Sequence, residues 1–331
     1  MLRAYYYTIE GDGFGCVLQV KALDNDTRTF LNSMEAMTKQ PLSSFSAVWT
    51  PLKQLMESYS TTAISKAAPE GMVRIPPNSK FHFVVNGVEI EHKTPGNGVG
   101  VDVQFPWESI PFRRHDHVLS IQEFYIDKTP VTNAAYRQYL ETSGYQPADA
   151  HNFLKNWFHN GTYQVPAGSE EHPVTYVSLA EATSYCKYYN KRLPNSWEWQ
   201  YAAQGTDGRL YPWGDTYDAA RCPPLYTDNN TLPGPSSVHA YPNGESPFGV
   251  RDLVGNVWQY TNQFYDKHTR AVVVRGGSNY YPSVSKGAFN WYFSNSLIMR
   301  KLTTHGKYFL MSDSYERAGT IGFRCVTDAG T

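Results

Sequence analysis

Histidines are the residues of this sequence that could most readily hold a metal ion or move a proton. His115 and His117 are two residues apart, so a strand would point both side chains to one face. A metal site needs a third ligand, and none is recognisable beside this pair, so we interpret both as polar residues on the protein surface. His305 could serve as a general acid or base, because the ordinary pKa of histidine is about 6.5. We predict a loop over residues 303–307 and expect the ring to be exposed to solvent.

Several classes of function are excluded by what the sequence lacks. It contains no Walker-type phosphate loop, no Gly-x-Ser-x-Gly and no His-Glu-x-x-His. A net charge of -1 creates no long-range field that would attract nucleic acid or an anionic membrane. No apolar run approaches the roughly 20 residues of a membrane helix, and residues 1–10 lack the basic start and apolar stretch of a signal peptide. We therefore expect neither nucleic acid nor a membrane as a partner.

Helix signals are few and are separated by loop-forming sequence. Thr132 is typical of a helix start, and Ser178 with Glu181 forms a capping box at the start of a second helix. Beyond residue 201, Gly, Pro, Asn and Asp become frequent. Two helices with many short strands and long loops predict an α+β domain in which the loops carry the functional site.

Two hairpins are predicted from turn sequences. Residues 3–22 read as two strands joined by a Gly-Asp-Gly turn, and residues 81–91 read as two strands around Asn86-Gly87. A lone hairpin is marginal in water, so we expect the first one to belong to a larger sheet or to pack on the main domain.

The predicted domain boundary lies at residue 66. Residues 27–38 and 46–66 carry apolar side chains at helical spacing. We interpret residues 1–66 as an appendage, the end of a larger upstream region, and residues 67–331 as the main domain.

Ordered sequence blocks in the main domain resemble a known family. They lie at residues 71–76, 124–133, 173–178, 191–203, 211–214, 252–261, 275–278 and 322–325. Their order resembles that of the formylglycine-generating enzymes, also called sulfatase-modifying factor domains, over about residues 70–331. The resemblance implies a variant of the C-type-lectin fold. Fold membership alone does not assign an activity.

The cysteines depart from the pattern of that family. Its active members bind copper with two cysteines shortly after the Arg-Gly-Gly-Ser block and oxidise a substrate cysteine. An ungapped match puts those positions at Tyr281 and Lys286, and Cu(I) needs soft thiolate ligands. We expect neither copper nor formylglycine-generating activity. Cys186 and Cys325 match a structural disulfide of the family, the alternative being two buried neighbouring thiols in a reducing compartment.

The resemblance also implies a calcium site, which we expect at four residues. The family binds an ion with hard oxygen ligands around its Gly-Asn-Val-Trp block. The matching ligands are the Asp252 side chain, the carbonyls of Gly255 and Val257, and Gln259, where the family usually has glutamate. Alternatively, Asp252 and Gln259 only hydrogen-bond the loop.

The predicted ligand surface is rich in aromatic and amide side chains, which suit adaptable recognition. Its residues are Tyr280, Tyr281, Asn290, Trp291, Tyr292, His305, Asp313 and Arg317. The aromatic rings could instead belong to the core.

Two functions follow: a recognition module for a small polar ligand, glycan or peptide, or a divergent metal-dependent oxidoreductase. Iron-dependent relatives draw their histidines largely from a separate helical domain, and residues 1–66 contain no histidine.

Overall fold

The computed structural model describes residues 22–40, 54–57, 61–87, 102–225, 234–265, 270–280 and 300–330. The chain divides into two units, Met1–Thr50 and Pro51–Thr331. In the first unit, helix α1 spans Asn25–Thr38, as its apolar spacing predicts, and the Asp24 carboxylate caps it by accepting a hydrogen bond from the Thr27 N–H. Nearly all of the predicted hairpin over residues 3–22 lies outside the described residues. None of the described helices has the length and apolar character needed to cross a membrane.

The second unit combines short strands with four further helices among its described residues. The strands are β1 Leu55–Met56, β2 Met72–Ile75, β3 Asn78–Gly87, β4 Arg114–Ile121, β5 Phe124–Asp127, β6 Phe158–His159, β7 Tyr163–Gln164, β8 Trp258–Tyr265, β9 Arg270–Arg275, β10 Thr304–Leu310, β11 Ile321–Gly322 and β12 Val326–Asp328. The helices are α2 Asn133–Ser143, α3 Leu179–Tyr188, α4 Ser196–Gln204 and α5 Asp313–Glu316. This mixture confirms the predicted α+β class.

The described strands form one large sheet and two small ones. The large sheet has the order β1-β8-β9-β10-β3-β4, with β11 paired to β8, and the small sheets are β12-β5-β2 and β6-β7. Most pairs in the large sheet are antiparallel, whereas β10 and β11 each run parallel to one neighbour. The strand β3 therefore lies between β4 and β10, and this position organises the polar cluster described below.

The division of the structure at Thr50/Pro51 differs from the boundary that the sequence predicts at residue 66, which stays a prediction. Gln54 and Gln104 exchange hydrogen bonds, each backbone N–H donating to the other's side-chain oxygen, at 3.1 and 2.8 Å. Leu55–Met56 pairs with β8. The helix predicted over residues 46–66 is therefore wrong at residues 54–57, because strand pairing satisfies that backbone.

The tight hairpin predicted around Asn86-Gly87 is also wrong. Asn86 lies opposite Arg114 of β4 on one side and opposite Thr304 of β10 on the other. Because both sides of β3 are paired at this point, the dipeptide continues the strand and cannot form a two-residue turn. Residues 88–91, the expected second strand, lie outside the described part of the chain.

Helices α2 and α3 begin where their capping residues predict. The Thr132 hydroxyl caps α2, and Ser178 with Glu181 forms the capping box of α3. A disulfide joins Cys186 of α3 to Cys325, with a Cα–Cα distance of 5.7 Å. Both sulfurs lie in a buried cluster built from α2, α3, β8 and β9, and a second buried cluster packs α4 against β3.

Candidate functional site

Two histidines and an aspartate meet beside β3. His115 lies opposite Val85, and His305 lies opposite Gly87, so the two histidines flank the same strand. The Asp102 carboxylate occupies the space left by the missing side chain of Gly87, because a Cβ placed there would lie 1.4 Å from Asp102 Oδ2. One side-chain nitrogen of each histidine and one Asp102 oxygen all lie within 4.8 Å of one another.

Each imidazole ring of this cluster has one carboxylate partner. His115 Nδ1 lies 2.7 Å from Glu108 Oε1, and His305 Nε2 lies 3.0 Å from Asp102 Oδ1. The other two ring nitrogens, His115 Nε2 and His305 Nδ1, are buried and have no hydrogen-bond partner among the described residues. Burial lowers the pKa of His305, which favours the neutral ring.

Aromatic rings surround the cluster. The Phe105 ring makes edge contacts with His115 and His305, at centroid distances of 4.6 and 6.2 Å. Trp107 stacks on Phe105 at 5.0 Å and on His117 at 4.6 Å. Such rings exclude water, and they strengthen the electrostatic interactions of the polar atoms they enclose.

Both sequence interpretations of the histidines require correction. His115 is fully buried and only His117, on the same face, retains some exposure. His305 is also fully buried, in strand β10 and not in a loop. The third residue of the cluster, Asp102, was not identified from the sequence. It is 203 residues from His305, so no local spacing could reveal it. Glu108 is only seven residues from His115 and was missed for another reason: no sequence motif marks the pair, and the fold places the carboxylate against the ring.

The predicted calcium ligands lie in the loop before β8 and at the second residue of β8, and this region already has cationic partners. Gln259 Oε1 accepts hydrogen bonds from Trp199 Nε1 at 2.9 Å and Arg324 Nε at 2.7 Å. The carbonyl oxygen of Gly255 accepts one from Arg300 Nη2 at 3.2 Å. Two of the four predicted ligand oxygens thus face guanidinium groups, which would repel a divalent cation.

The remaining predicted calcium ligands are also internally engaged or buried. The Asp252 carboxylate accepts a hydrogen bond from Asn256 Nδ2 at 2.8 Å, and burial raises the pKa of Asp252 to about 6. Val257 is fully buried. In this arrangement the donor set does not fit a calcium ion without breaking the guanidinium contacts, and calcium binding here stays a prediction.

Arg317, predicted to direct a ligand, uses its donors inside the protein. Its Nε and Nη2 atoms donate to the Glu181 carboxylate, and Nη1 donates to the carbonyls of Asp149 and His151 at 2.6 Å. Arg317 is only 4% exposed. Asp313 is the first residue of α5 and is half-buried.

The residues predicted for the ligand surface do not form one group among the described residues. Tyr280 is 37% exposed, whereas His305 belongs to the buried cluster beside β3 and Arg317 is paired with Glu181. The others lie outside the described residues: Tyr281, Asn290, Trp291 and Tyr292.

The cysteines of residues 67–331 leave a single thiol. The sequence has three cysteines there, and two of them form the Cys186–Cys325 disulfide. The third, Cys222, is buried, and its sulfur accepts a hydrogen bond from Arg300 Nη1 at 3.2 Å. Burial raises the pKa of the Cys222 thiol, so the reactive thiolate is disfavoured.

Comparison with known proteins agrees with this fold and these sequence blocks. The family model of the sulfatase-modifying factor enzyme 1-like domain matches residues 84–329, so the chain belongs to this family. It is 27% identical over 254 residues to inactive C-alpha-formylglycine-generating enzyme 2 of Bos taurus, covering 64% of this chain and 79% of that protein. It is 31% identical over 185 residues to hercynine oxygenase of Mycolicibacterium smegmatis, covering 50% of this chain and 42% of that protein.

A solved structure is similar in fold. The structure of PvdO from Pseudomonas aeruginosa aligns with a TM-score of 0.50 and 18% identity, over 82% of this chain and 100% of that one. At this identity the likeness supports the fold alone. The chain spans less than half of the hercynine oxygenase, so the activity of that longer protein is not carried over.

Proposed function

We propose that this family domain does not generate formylglycine and instead recognises a small polar ligand, glycan or peptide. The recognition surface begins at Tyr280 and continues through the residues that follow it in sequence. They include Tyr281, Asn290, Trp291 and Tyr292.

The number of free cysteines is the observation that argues against formylglycine generation. Formylglycine generation in the family needs two thiolates on one copper ion, and Cu(I) prefers soft ligands. Residues 67–331 contain three cysteines, and the disulfide uses two of them. The single remaining thiol, Cys222, is buried against the Arg300 guanidinium and cannot form a pair within the domain.

Tyr280 supplies the support for a recognition surface. It follows Ser278 and Asn279, which are only 3% and 2% exposed, and the Asn279 N–H donates to the Asn256 carbonyl at 3.1 Å. The half-exposed Tyr280 ring therefore emerges from a fixed base, which lowers the entropic cost of ordering it on a ligand.

A ligand screen with paired variants tests the recognition half of the proposal. Thermal-shift screening of amino acids, short peptides and oligosaccharides identifies a binder, and affinity is then measured for Trp291→Ala and Tyr281→Ala. We expect at least one of these to lose about tenfold or more in affinity with an unchanged thermal midpoint. Phe158→Ala is the control, because Phe158 is 66% exposed and lies in β6. Loss of thermal stability with intact affinity per folded molecule would assign these rings to the core and refute the proposal.

Calcium binding is a separate part of the proposal, and it requires Gly255 and Gln259 to release their guanidinium contacts. If Asp252 and Gln259 hold calcium, adding the ion to chelator-treated protein raises the thermal midpoint, and Asp252→Asn removes the increase. An unchanged midpoint would mean that the contacts of Gln259 with Arg324 and Trp199 are the final arrangement of the loop.

A second candidate function is a metal-dependent oxidoreductase. The buried group of Asp102, His115 and His305 favours it, since two imidazoles and one carboxylate can hold a redox-active metal. A relative whose name marks it as an oxygenase matches half of the chain. The identity of any metal that copurifies with the protein decides between this candidate and the recognition module.

A further inference from the structure

The buried cluster beside β3 does not depend on the cysteine argument, and a metal site there would deepen the second candidate function, a metal-dependent oxidoreductase. We propose that Asp102, His115 and His305 bind one divalent transition-metal ion, with Glu108 orienting the His115 ring.

The hydrogen bond of the His115 ring leaves its other nitrogen able to bind a metal ion. A neutral imidazole carries one proton, and its hydrogen-bond partner decides which nitrogen bears it. When the His115 ring is neutral, the Glu108 carboxylate, 2.7 Å from Nδ1, favours the tautomer with the proton on Nδ1 and the lone pair on Nε2. This Nε2 atom is buried without a partner among the described residues. A carboxylate behind a metal-binding histidine is a recurrent arrangement that fixes the tautomer and raises the basicity of the ring.

His305 presents the same incomplete bonding. Its Nε2 lies 3.0 Å from Asp102 Oδ1, while its buried Nδ1 has no partner among the described residues. An unpaired buried polar atom costs about 1–3 kcal/mol. A metal ion bound by His115 Nε2 would satisfy that unpaired atom, and His305 would bind the same ion through Nε2, the nitrogen that faces Asp102.

Distance and charge both suit an ion. Metal bonds of about 2.0–2.2 Å place neighbouring ligand atoms roughly 3–3.5 Å apart. The ligand atoms of Asp102, His115 and His305 already lie within 4.8 Å of one another, so small rotations of the side chains complete the site. Asp102 and Glu108 bring two carboxyl groups into a region that is at most 9% exposed at these side chains. A divalent cation would balance both when they are ionised.

Gly87 also supports a metal site at this position. Its missing side chain leaves the space that the Asp102 carboxylate fills, so the sheet itself admits the third ligand beside His305. The donor set of two imidazoles and one carboxylate is the set found in catalytic zinc sites and in non-haem Fe(II) sites. The metal class is therefore Zn²⁺, Fe²⁺ or Co²⁺, and Ca²⁺ is disfavoured because it prefers oxygen ligands.

Cobalt titration of chelator-treated full-length protein tests the proposal. Co²⁺ reports its ligand field by visible absorption, and competition with Zn²⁺ measures affinity at the same site. We expect one Co²⁺ per chain and a higher thermal midpoint with the ion. His115→Gln and His305→Gln should each weaken binding by at least about 100-fold, and Glu108→Gln by about 10- to 100-fold.

His117→Gln is the matched control, because His117 lies on the same face of β4 two residues from His115 but stacks on Trp107. It should bind Co²⁺ as the unsubstituted protein does. If a histidine variant fails to fold, Asp102→Asn, which keeps the size of the side chain, replaces it. The proposal is overturned if the folded, unsubstituted chain takes up neither Co²⁺ nor Zn²⁺. It is also overturned if His117→Gln weakens Co²⁺ binding as much as the substitutions of His115 and His305 do. Either would make the cluster a buried hydrogen-bond network only.

Discussion

Gly87→Ala is the substitution whose effect the structure predicts most sharply. The added Cβ would lie 1.4 Å from Asp102 Oδ2 and 2.5 Å from Cγ, so the carboxylate must move. It would then lose its contacts with His305 Nε2 at 3.0 Å and with the Val103 N–H at 2.8 Å. Hydrogen bonds to a charged group contribute about 1.5–3 kcal/mol each, so the loss of both should lower the free energy of unfolding by about 3–6 kcal/mol.

Equilibrium urea unfolding followed by tryptophan fluorescence measures this change. Gly234→Ala is the control, because Gly234 is exposed and a Cβ there meets no atom of the described residues within 4 Å. It should change the free energy of unfolding by less than about 0.5 kcal/mol. In the double variant with Asp102→Ala the clash disappears, so the two effects should be far from additive. A Gly87→Ala protein as stable as the control, or additive effects, would refute the packing of Asp102 against Gly87.

Three further outcomes are expected. Burial raises the pKa of Tyr136, Tyr185 and Tyr260, so the native state keeps protons that the unfolded state loses above about pH 10. These three groups alone should lower the free energy of unfolding by about 4 kcal/mol per pH unit there, and other tyrosines with a raised pKa add to the slope, as urea unfolding across this range would show. The Tyr136 hydroxyl is buried without a partner among the described residues, so Tyr136→Phe should leave stability at neutral pH unchanged or up to about 1 kcal/mol higher. It should reduce the alkaline slope by about 1.4 kcal/mol per pH unit. A loss of about 2 kcal/mol or more at neutral pH would reveal a missed hydrogen bond. Arg317→Met leaves the Glu181 carboxylate buried and unpaired and should cost about 3–5 kcal/mol in thermal or urea unfolding, whereas lost ligand binding at full stability would restore Arg317 to the ligand surface.

Features set by neighbouring residues could be predicted from the sequence. The caps at Thr132 and Ser178 act over three residues, and both helices begin where these caps place them. The pairing of Cys186 with Cys325 came from family resemblance and not from local pattern. The α+β class followed from the balance of short strands and few helices.

Features set by long-range contacts could not be predicted. Helix α4, Ser196–Gln204, is buried on nearly all sides, so it lacks the apolar stripe that marks a surface helix. Asn86-Gly87 reads as a turn until two neighbouring strands are known to pair with it. The contact between Asp102 and His305 spans 203 residues, and only the order of strands in the sheet makes it.

Conversion of a sulfatase-derived cysteine peptide tests the central claim most directly. The full chain would be incubated with that peptide, copper, oxygen and reductant, and the product followed by mass spectrometry beside an active formylglycine-generating enzyme. We expect no formylglycine above the level of copper alone, because an ungapped match to the family puts Tyr281 and Lys286 at the positions of the two thiolates and the domain retains one buried thiol. Turnover by this chain that survives Cys222→Ser and follows added copper would contradict the account, since it would require a copper site built without the cysteine pair.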